Sequence, residues 1–412
     1  MSNGWTGGQY SLFRVLLGGY LVIHFAHLLP WAPEILSSRG MLPDGRASPL
    51  LLAFPNVLAL YDAPWVTIVL VAAAIGAAVC FTLGWRDRVA AIVLWYVLAC
   101  IYGRNPLTLN PSLPFVGWML LAHALLPPAP YGSVAARGRP DPGGGWTMPP
   151  GIFAAAWIVM ALGYSYSGWA KLGSPSWIDG SAFGDVLENP LARATWIRGV
   201  LLALPPVLLQ VATWGALATE LLFAPLALSR RLRPWVWSAA VLMHLGLLLI
   251  VDFADLTLGM LALHGFTFDP RWLPSRLPKG AATFYYDGVC GLCHRVVRFL
   301  LAEDAGARLR LSPLQGADFA ASVPEEERRS LPDTIVVRTA DGRLLVGTRG
   351  AVYVLIGVGG VWKALGICLS MVPTRLADIV YDFVSRNRRR WFAPPETLCP
   401  IVPEALRARF VD

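Results

Sequence analysis

From the first residues to about position 270 the chain alternates long apolar runs with short polar breaks rich in Arg, Pro and Gly. The runs are Leu12–Leu29, Trp65–Leu83, Val89–Tyr102, Phe115–Leu126, Ile152–Trp169, Val207–Leu228, Trp235–Val251 and Leu256–Phe268. Most approach the roughly 20 residues that a bilayer requires, so about eight crossings are expected, the short eighth crossing or re-entering. The stretch SPLLLAFPNVLALYD contains Pro55 and is expected to be an interfacial helix. ARGRPDPGGGW reads as a linker. After Lys279 the period changes. ATFYYD predicts a strand, CGLCHRVVRFLLAED a helix and RLRLSPLQ a second strand. DTIVVRTADGRLLVGT predicts a hairpin turning at Asp341-Gly342. AVYVLIGVGGVWKALGICLS predicts helix with a glycine break, and LADIVYDFVSRNRRRWF a basic amphipathic helix.

The order βα-β-(loop)-ββ-α is thioredoxin-like. The expected fold is therefore mainly α: a polytopic membrane helical bundle of about eight spans followed by a small α/β thioredoxin-like domain. The expected segments are a membrane domain over 1–275, the α/β domain over 281–399 and a tail over 400–412.

Composition supports the membrane reading. Of 412 residues 56% are hydrophobic and 15% charged, with mean hydropathy +0.54, outside the range of ordinary soluble domains. The net charge of +8 is explained by topology-setting arginines, and no basic patch interleaved with aromatics points to nucleic acid. Arg86 and Arg88, Arg137 and Arg139, Arg230, Arg231 and Arg233, then Arg271, Arg276 and Lys279 follow the even-numbered runs. The positive-inside rule makes that side cytoplasmic. An inner-membrane protein is expected, with its amino terminus and everything after Pro270 in the cytoplasm. The first run lacks the flanks of a cleavable signal. Six cysteines in this length make no disulfide framework, and Cys80 and Cys100 read as packing residues.

The chemistry concentrates in FYYDGVCGLCHRVVRFLL. C-x-x-C is a thiol-redox motif, C-x-x-C-H also signs a c-type haem, and paired cysteines are half a zinc site. Haem attachment belongs outside the cytoplasm, and zinc needs four ligands where no second C-x-x-C exists. A strand ending just before Cys290, with a helix starting at the motif, favours redox. Helix amides stabilise a thiolate on the first cysteine, and Cys293 is placed to resolve the mixed disulfide. Asp287 precedes the motif, and Pro332 is expected to be a cis-proline beside the sulfurs. His294 is expected to face solvent, the alternative being a charge that assists the thiolate. A thiol or disulfide partner, protein or small thiol, is implied, against the alternative of a degenerate structural domain.

The pieces YYDGVCGLCHRVVRFLL, LSPLQ, DTIVV, GAVYVLI and VYDFVSRNRRRWF, in that order, resemble the DCC-type thiol-disulfide oxidoreductase family. Asp287, Cys290 and Cys293 match its D-x-x-C-x-x-C run, and Cys399 matches a cysteine near the end of such domains. In the apolar half, Gly168, Lys171-Leu172, Trp177 and Gly180 resemble the HTTM family, the membrane domain shared with vitamin K-dependent γ-carboxylase. GRNP at Gly103–Pro106, Glu220 and the His244 to Gly259 helix pair support that resemblance. It implies Lys171 as a base acting on a quinone or hydroquinone, with Trp177, His244 and Glu220 near the cofactor; separately, no metal is expected. Snorkelling is the plain alternative for Lys171, and a carboxylase- or epoxidase-like enzyme or a non-enzymatic transporter or scaffold the alternatives for the whole chain. His24, His27, His123, Asp252, Asp255 and His264 are further polar groups in apolar runs, and Glu220 is expected to pair with His244. Arg386, Arg388, Arg389 and Arg390 beside Trp391 and Phe392 are expected to dock on anionic lipid.

Overall fold

The computed structural model describes residues 2–108, 110–332, 334–395, 400 and 402–411. They form two compact units. The first comprises chiefly 13–126 and 149–268, the second 3–12, 127–148 and 269–412.

The first unit is helical. Each expected apolar run forms helix: α1 (Gly7–Leu28, in this unit from Phe13), α2 (Pro64–Leu83), α3 (Asp87–Arg104), α4 (Leu113–Leu125), α5 (Pro150–Lys171), α6 (Pro206–Leu221), α7 (Arg233–Ile250) and α8 (Ala254–Thr267). Pro64 at the first turn and Gly84 at φ +69° after the last residue bracket α2. Four helical stretches are long and apolar enough to cross a membrane, or up to six if each of two bent pairs counts once. The expected eight are not reached. α4 has 13 residues and α8 has 14, short of bilayer thickness, and α3 carries Asp87, Arg88 and Arg104 at its ends. The sixth run breaks between Leu221 and Phe223, because Pro225 has no N–H and its ring excludes the carbonyl of Leu221. The expected interfacial helix shrinks to Val57–Leu60. Pro55 cannot extend it backwards, and Asn56 caps it, accepting from the Leu58 amide at 2.9 Å.

The second unit holds a four-stranded sheet in the order β2-β1-β3-β4. β1 (Ala282–Tyr286) pairs parallel with β2 (Leu309–Pro313) and antiparallel with β3 (Val336–Arg338), which pairs antiparallel with β4 (Leu344–Val346). Side chains alternate across β1. Phe284 and Tyr286 join Val297, Leu300, Leu311 and Val354 in one core, while Tyr285 packs with Phe319, Val323 and Val336. Helix α9 (Gly291–Glu303) follows β1. Helices α10 (Gly347–Val358) and α11 (Gly360–Met371) meet at the expected glycine break, where Gly359 and Gly360 have φ of +88° and +60°. α12 (Thr374–Trp391) is the amphipathic helix.

Two expected boundaries change. Residues 402–411 are no loose tail. Leu311 donates to the Arg409 carbonyl and Val411 donates to the Leu311 carbonyl, both at 2.9 Å, which covers the free edge of β2. The Arg409 guanidinium is buried on Asp304 at 2.6 Å. The amino-terminal segment also belongs to this unit rather than to a continuous 1–275 domain: the Gly8 amide donates to Glu303 at 2.7 Å, and Tyr10 stacks on Trp146 at 5.1 Å.

Candidate functional site

The loop between β1 and α9 folds back because the Cys290 amide donates to the Asp287 carbonyl at 3.1 Å. Cys290 thereby becomes the residue before the first turn of α9, extended at φ −106° and ψ 117°, beside the helix amides. Cys293 lies one turn on, and its thiol is in hydrogen-bonding contact with the Cys290 sulfur. Both cysteines are buried, at 1% and 5% exposure. Burial first, then the contact with Cys290, pushes the Cys293 thiol up to about 12, so this sulfur holds its proton at neutral pH.

Asp287 organises the turn. It is 4% exposed. One oxygen accepts from the Val289 amide at 3.1 Å and from Gln315 at 3.0 Å, and the other faces Arg389 at 3.3 Å and Arg388 at 3.5 Å. Burial raises its pKa, but the Val289 amide, Gln315 and Arg389 outweigh that and leave it below the usual carboxylate range. Gln315 returns a bond by accepting from the Gly288 amide at 3.0 Å. His294, expected in solvent, is buried instead, with Nε2 3.0 Å from the Gly288 carbonyl. A carbonyl only accepts, so Nε2 carries the proton, and the ring pins the turn rather than meeting water.

The end of α12 covers this turn. Of the cluster expected on lipid, Arg388 is buried, Arg389 is engaged by Asp287, and Phe392 is half-buried with Arg295 over its ring at 4.7 Å. Gly291 allows the approach: a Cβ there would lie 2.1 Å from the Ala393 carbonyl oxygen. Tyr381 hydrogen-bonds Thr334 just before β3. Sequence reasoning missed Gln315, Tyr381, Arg388 and the need for Gly291. Only the G of CGLC carried a signal.

Pro332 is a correction. Among the described residues no peptide bond is cis, and Pro332 is exposed. The strand starts at Val336, and Ile335 just before it lines the same cavity as Cys293. Cys399 lies outside the described residues. A cavity of about 270 Å³ adjoins Cys293.

In the first unit Lys171, Glu220 and Trp177 do come together. The Lys171 ammonium donates to Glu220 at 2.5 Å and Ser167 at 2.8 Å and lies 4.9 Å over the Trp177 ring. Two of its three N–H groups are thereby bonded, to Ser167 and Glu220. His244 is not part of this group, and the expected Glu220–His244 pair does not form. His244 Nε2 meets the Tyr164 hydroxyl at 2.6 Å, which also meets His264 Nε2 at 3.2 Å. His264 Nδ1 lies 2.8 Å from the Met260 carbonyl. His24 and Tyr20 bond Asp255 at 2.8 and 2.9 Å, His27 is exposed, His123 lies 3.5 Å from Asp87, and Asp252 pairs with Arg193 at 3.0 Å. No cluster of three or more His, Cys, Asp or Glu suited to a metal occurs among the described residues.

The comparisons bear on the dithiol. Residues 284–394 match the DCC1-like thiol-disulfide oxidoreductase family. That span runs from within β1 to the segment covering Gly291, so it contains Asp287, Cys290, Cys293 and Arg389. Uncharacterized protein YuxK of Bacillus subtilis (strain 168) is 25% identical over 126 residues, which is 31% of this chain and 90% of that protein. No solved structure matches. The family match supports thiol-disulfide exchange by the carboxy-terminal α/β domain, and the several apolar helices are compatible with a membrane protein.

Proposed function

We propose that the protein is a membrane-bound thiol-disulfide oxidoreductase whose α/β domain is thioredoxin-like and whose working groups are Cys290 and Cys293. The observation that carries this is the pair of adjacent sulfurs at the amide end of α9, with Asp287 bonded into the same turn. Cys290, at the residue before the first turn of α9, is the attacking sulfur. It attacks one sulfur of a partner disulfide, forming a mixed disulfide and expelling one thiolate. Cys293 then attacks the Cys290 sulfur and closes the Cys290–Cys293 disulfide. The second partner thiolate leaves and takes up the Cys293 proton. Two electrons pass from the dithiol to the partner, and the reverse sequence reduces the domain again. Redox titration of the full chain in detergent against glutathione, read by the mass of alkylated thiols, tests this. A two-electron transition lost in Cys290→Ser is expected; its absence from the parent protein refutes the proposal.

On this reading the apolar helices sit in the inner membrane and the arginine distribution holds the dithiol on the cytoplasmic side. Crossings beyond those long enough on their own would come from the shorter apolar helices α4 and α8 and the charged-ended α3. The HTTM-type resemblance adds a quinone as the lipid-soluble partner, with Lys171, Glu220 and Trp177 as the group closest to it; their convergence supports this. Cysteine accessibility mapping in intact cells tests the sidedness: labelling of Cys368, which is exposed, by a membrane-impermeant maleimide from outside would place the domain on the other face.

A further inference from the structure

The cavity beside Cys293 has no role in the exchange steps above. Phe284, Val296, Phe299, Val354 and Leu355 make most of its wall, from β1, α9 and α10. The pocket is partly open to the surface, and its wall is almost wholly apolar. An apolar cavity of about 150 Å³ is large enough for benzene, and this one holds about 270 Å³. Arg388 is the one charged side chain on the described lining, and Asp287 at 3.5 Å already balances it. An anion entering would compete with that carboxylate, whereas a neutral molecule need only accept a hydrogen bond. The last wall is α12, through Tyr381, Val384 and Ser385. The other face of α12 exposes Leu376, Ile379, Val380 and Phe383, flanked by exposed Arg375, Arg386 and Arg390. Apolar residues bordered by arginine are the pattern of a helix lying in an anionic bilayer surface.

We propose that this cavity binds a small, uncharged, lipid-soluble molecule bearing a hydrogen-bond acceptor, held against the Cys293 sulfur and admitted past α12 from the bilayer surface. The use made of the molecule rests on the thiol-disulfide reading; its binding does not.

The test photolabels the full chain in nanodiscs containing anionic lipid with the uncharged probe 3-trifluoromethyl-3-phenyldiazirine and maps the adducts by mass spectrometry. Saturable labelling of Val296, Val354 or Leu355 is expected, reduced at least threefold by acetophenone, unaffected by benzoate and lost in Val354→Trp. Ala351→Leu, a smaller filling of the same lining, is expected to weaken it and keeps the test valid if the larger substitution unfolds the domain. Labelling confined to the exposed face of α12, labelling that does not saturate, or protection by benzoate overturns the proposal. Cys290→Ser is expected to label as the parent does. Lost exchange in the parent with labelling intact would count against the redox reading alone.

Discussion

The Asp287 carboxylate lies 3.3 Å from the Arg389 guanidinium, joining the C-x-x-C turn to the last turn of α12 across 102 positions of sequence. This contact bears on how two buried sulfurs meet a partner at all. Arg389 is 64% exposed on its side chain, so the pair is partly screened and contributes on the order of 0.2–1 kcal/mol. Arg389→Ala is therefore expected to speed alkylation of Cys290 by about 1.4- to fivefold, the range that such a free energy converts to. High salt acts in the same direction on the parent protein and not on the variant. An unchanged rate in Arg389→Ala would mean that α12 is not the cover.

Gly291 offers the same test from the other side. Its missing Cβ makes room for the Ala393 carbonyl, while alanine itself is the better helix former by about 1 kcal/mol. Gly291→Ala is thus expected to keep α9 intact by circular dichroism and to displace the segment at 393. Cys290 should become more reactive than in the parent. A loss of reactivity would show that the segment at 393 helps to hold the turn rather than shielding it.

The pH dependence follows from Asp287. Its folded pKa lies below the ordinary value of 3.8. The stabilisation it brings is complete above that value and is lost as pH falls through the lowered one. Acid should therefore loosen the C-x-x-C turn, seen as faster amide exchange at Val289 and Cys290 below about pH 4. Asp287→Asn is expected to exchange fast at every pH, with that acid limb gone. A variant that kept the limb would assign it to another carboxylate.

Much of this domain was legible in the sequence. β-rich stretches and the Asp341-Gly342 turn marked all four strands, Gly359-Gly360 marked the helix break, and C-x-x-C after a strand placed the sulfurs at a helix start. What stayed hidden is what depends on distant partners. Arg388 and Arg389 read as part of a lipid-facing cluster because a run of arginines is normally solvated; only the fold brings Asp287 to them. Residues 402–411 read as a tail because ten residues without a long apolar run carry no strand signal. They become ordered by pairing with the free edge of β2. In the apolar half, composition marked where helices form, but helix length and the break before Pro225 decide how many can cross.

Glu303 carries a prediction of stability. It is buried and accepts from Thr6, the Gly8 amide and the Trp362 indole, the last two at 2.7 and 2.6 Å. Burial raises its pKa above the ordinary 4.5 despite those donors. The native state therefore holds the proton more tightly than the unfolded chain, and this group's contribution weakens as pH rises through the raised value. Glu303→Ala leaves buried donors unpaired at about 1–3 kcal/mol each. The amino-terminal segment 3–12 is expected to become the first site of proteolysis. Unchanged cleavage there would mean that stacking of Tyr10 on Trp146 holds the segment by itself.

The last prediction separates the two halves of the molecule. Lys171 donates to Glu220 and Ser167, and Glu220 is buried. Lys171→Ala strands that carboxylate, and breaking one side of a buried ion pair costs on the order of 3–5 kcal/mol. Lower thermal stability of the first unit is therefore expected whatever the function. Glu220→Gln with Lys171→Ala removes the stranded charge and should recover much of that loss. If the dithiol is the working group, the double variant keeps thiol exchange with a small-molecule disulfide at the parent rate while Cys290→Ser abolishes it. If Lys171 is instead the base of a carboxylase- or epoxidase-like enzyme, quinol turnover disappears in the double variant and survives in Cys290→Ser. Measuring both turnovers in both variants decides between them, because the restored stability removes unfolding as an explanation for lost activity.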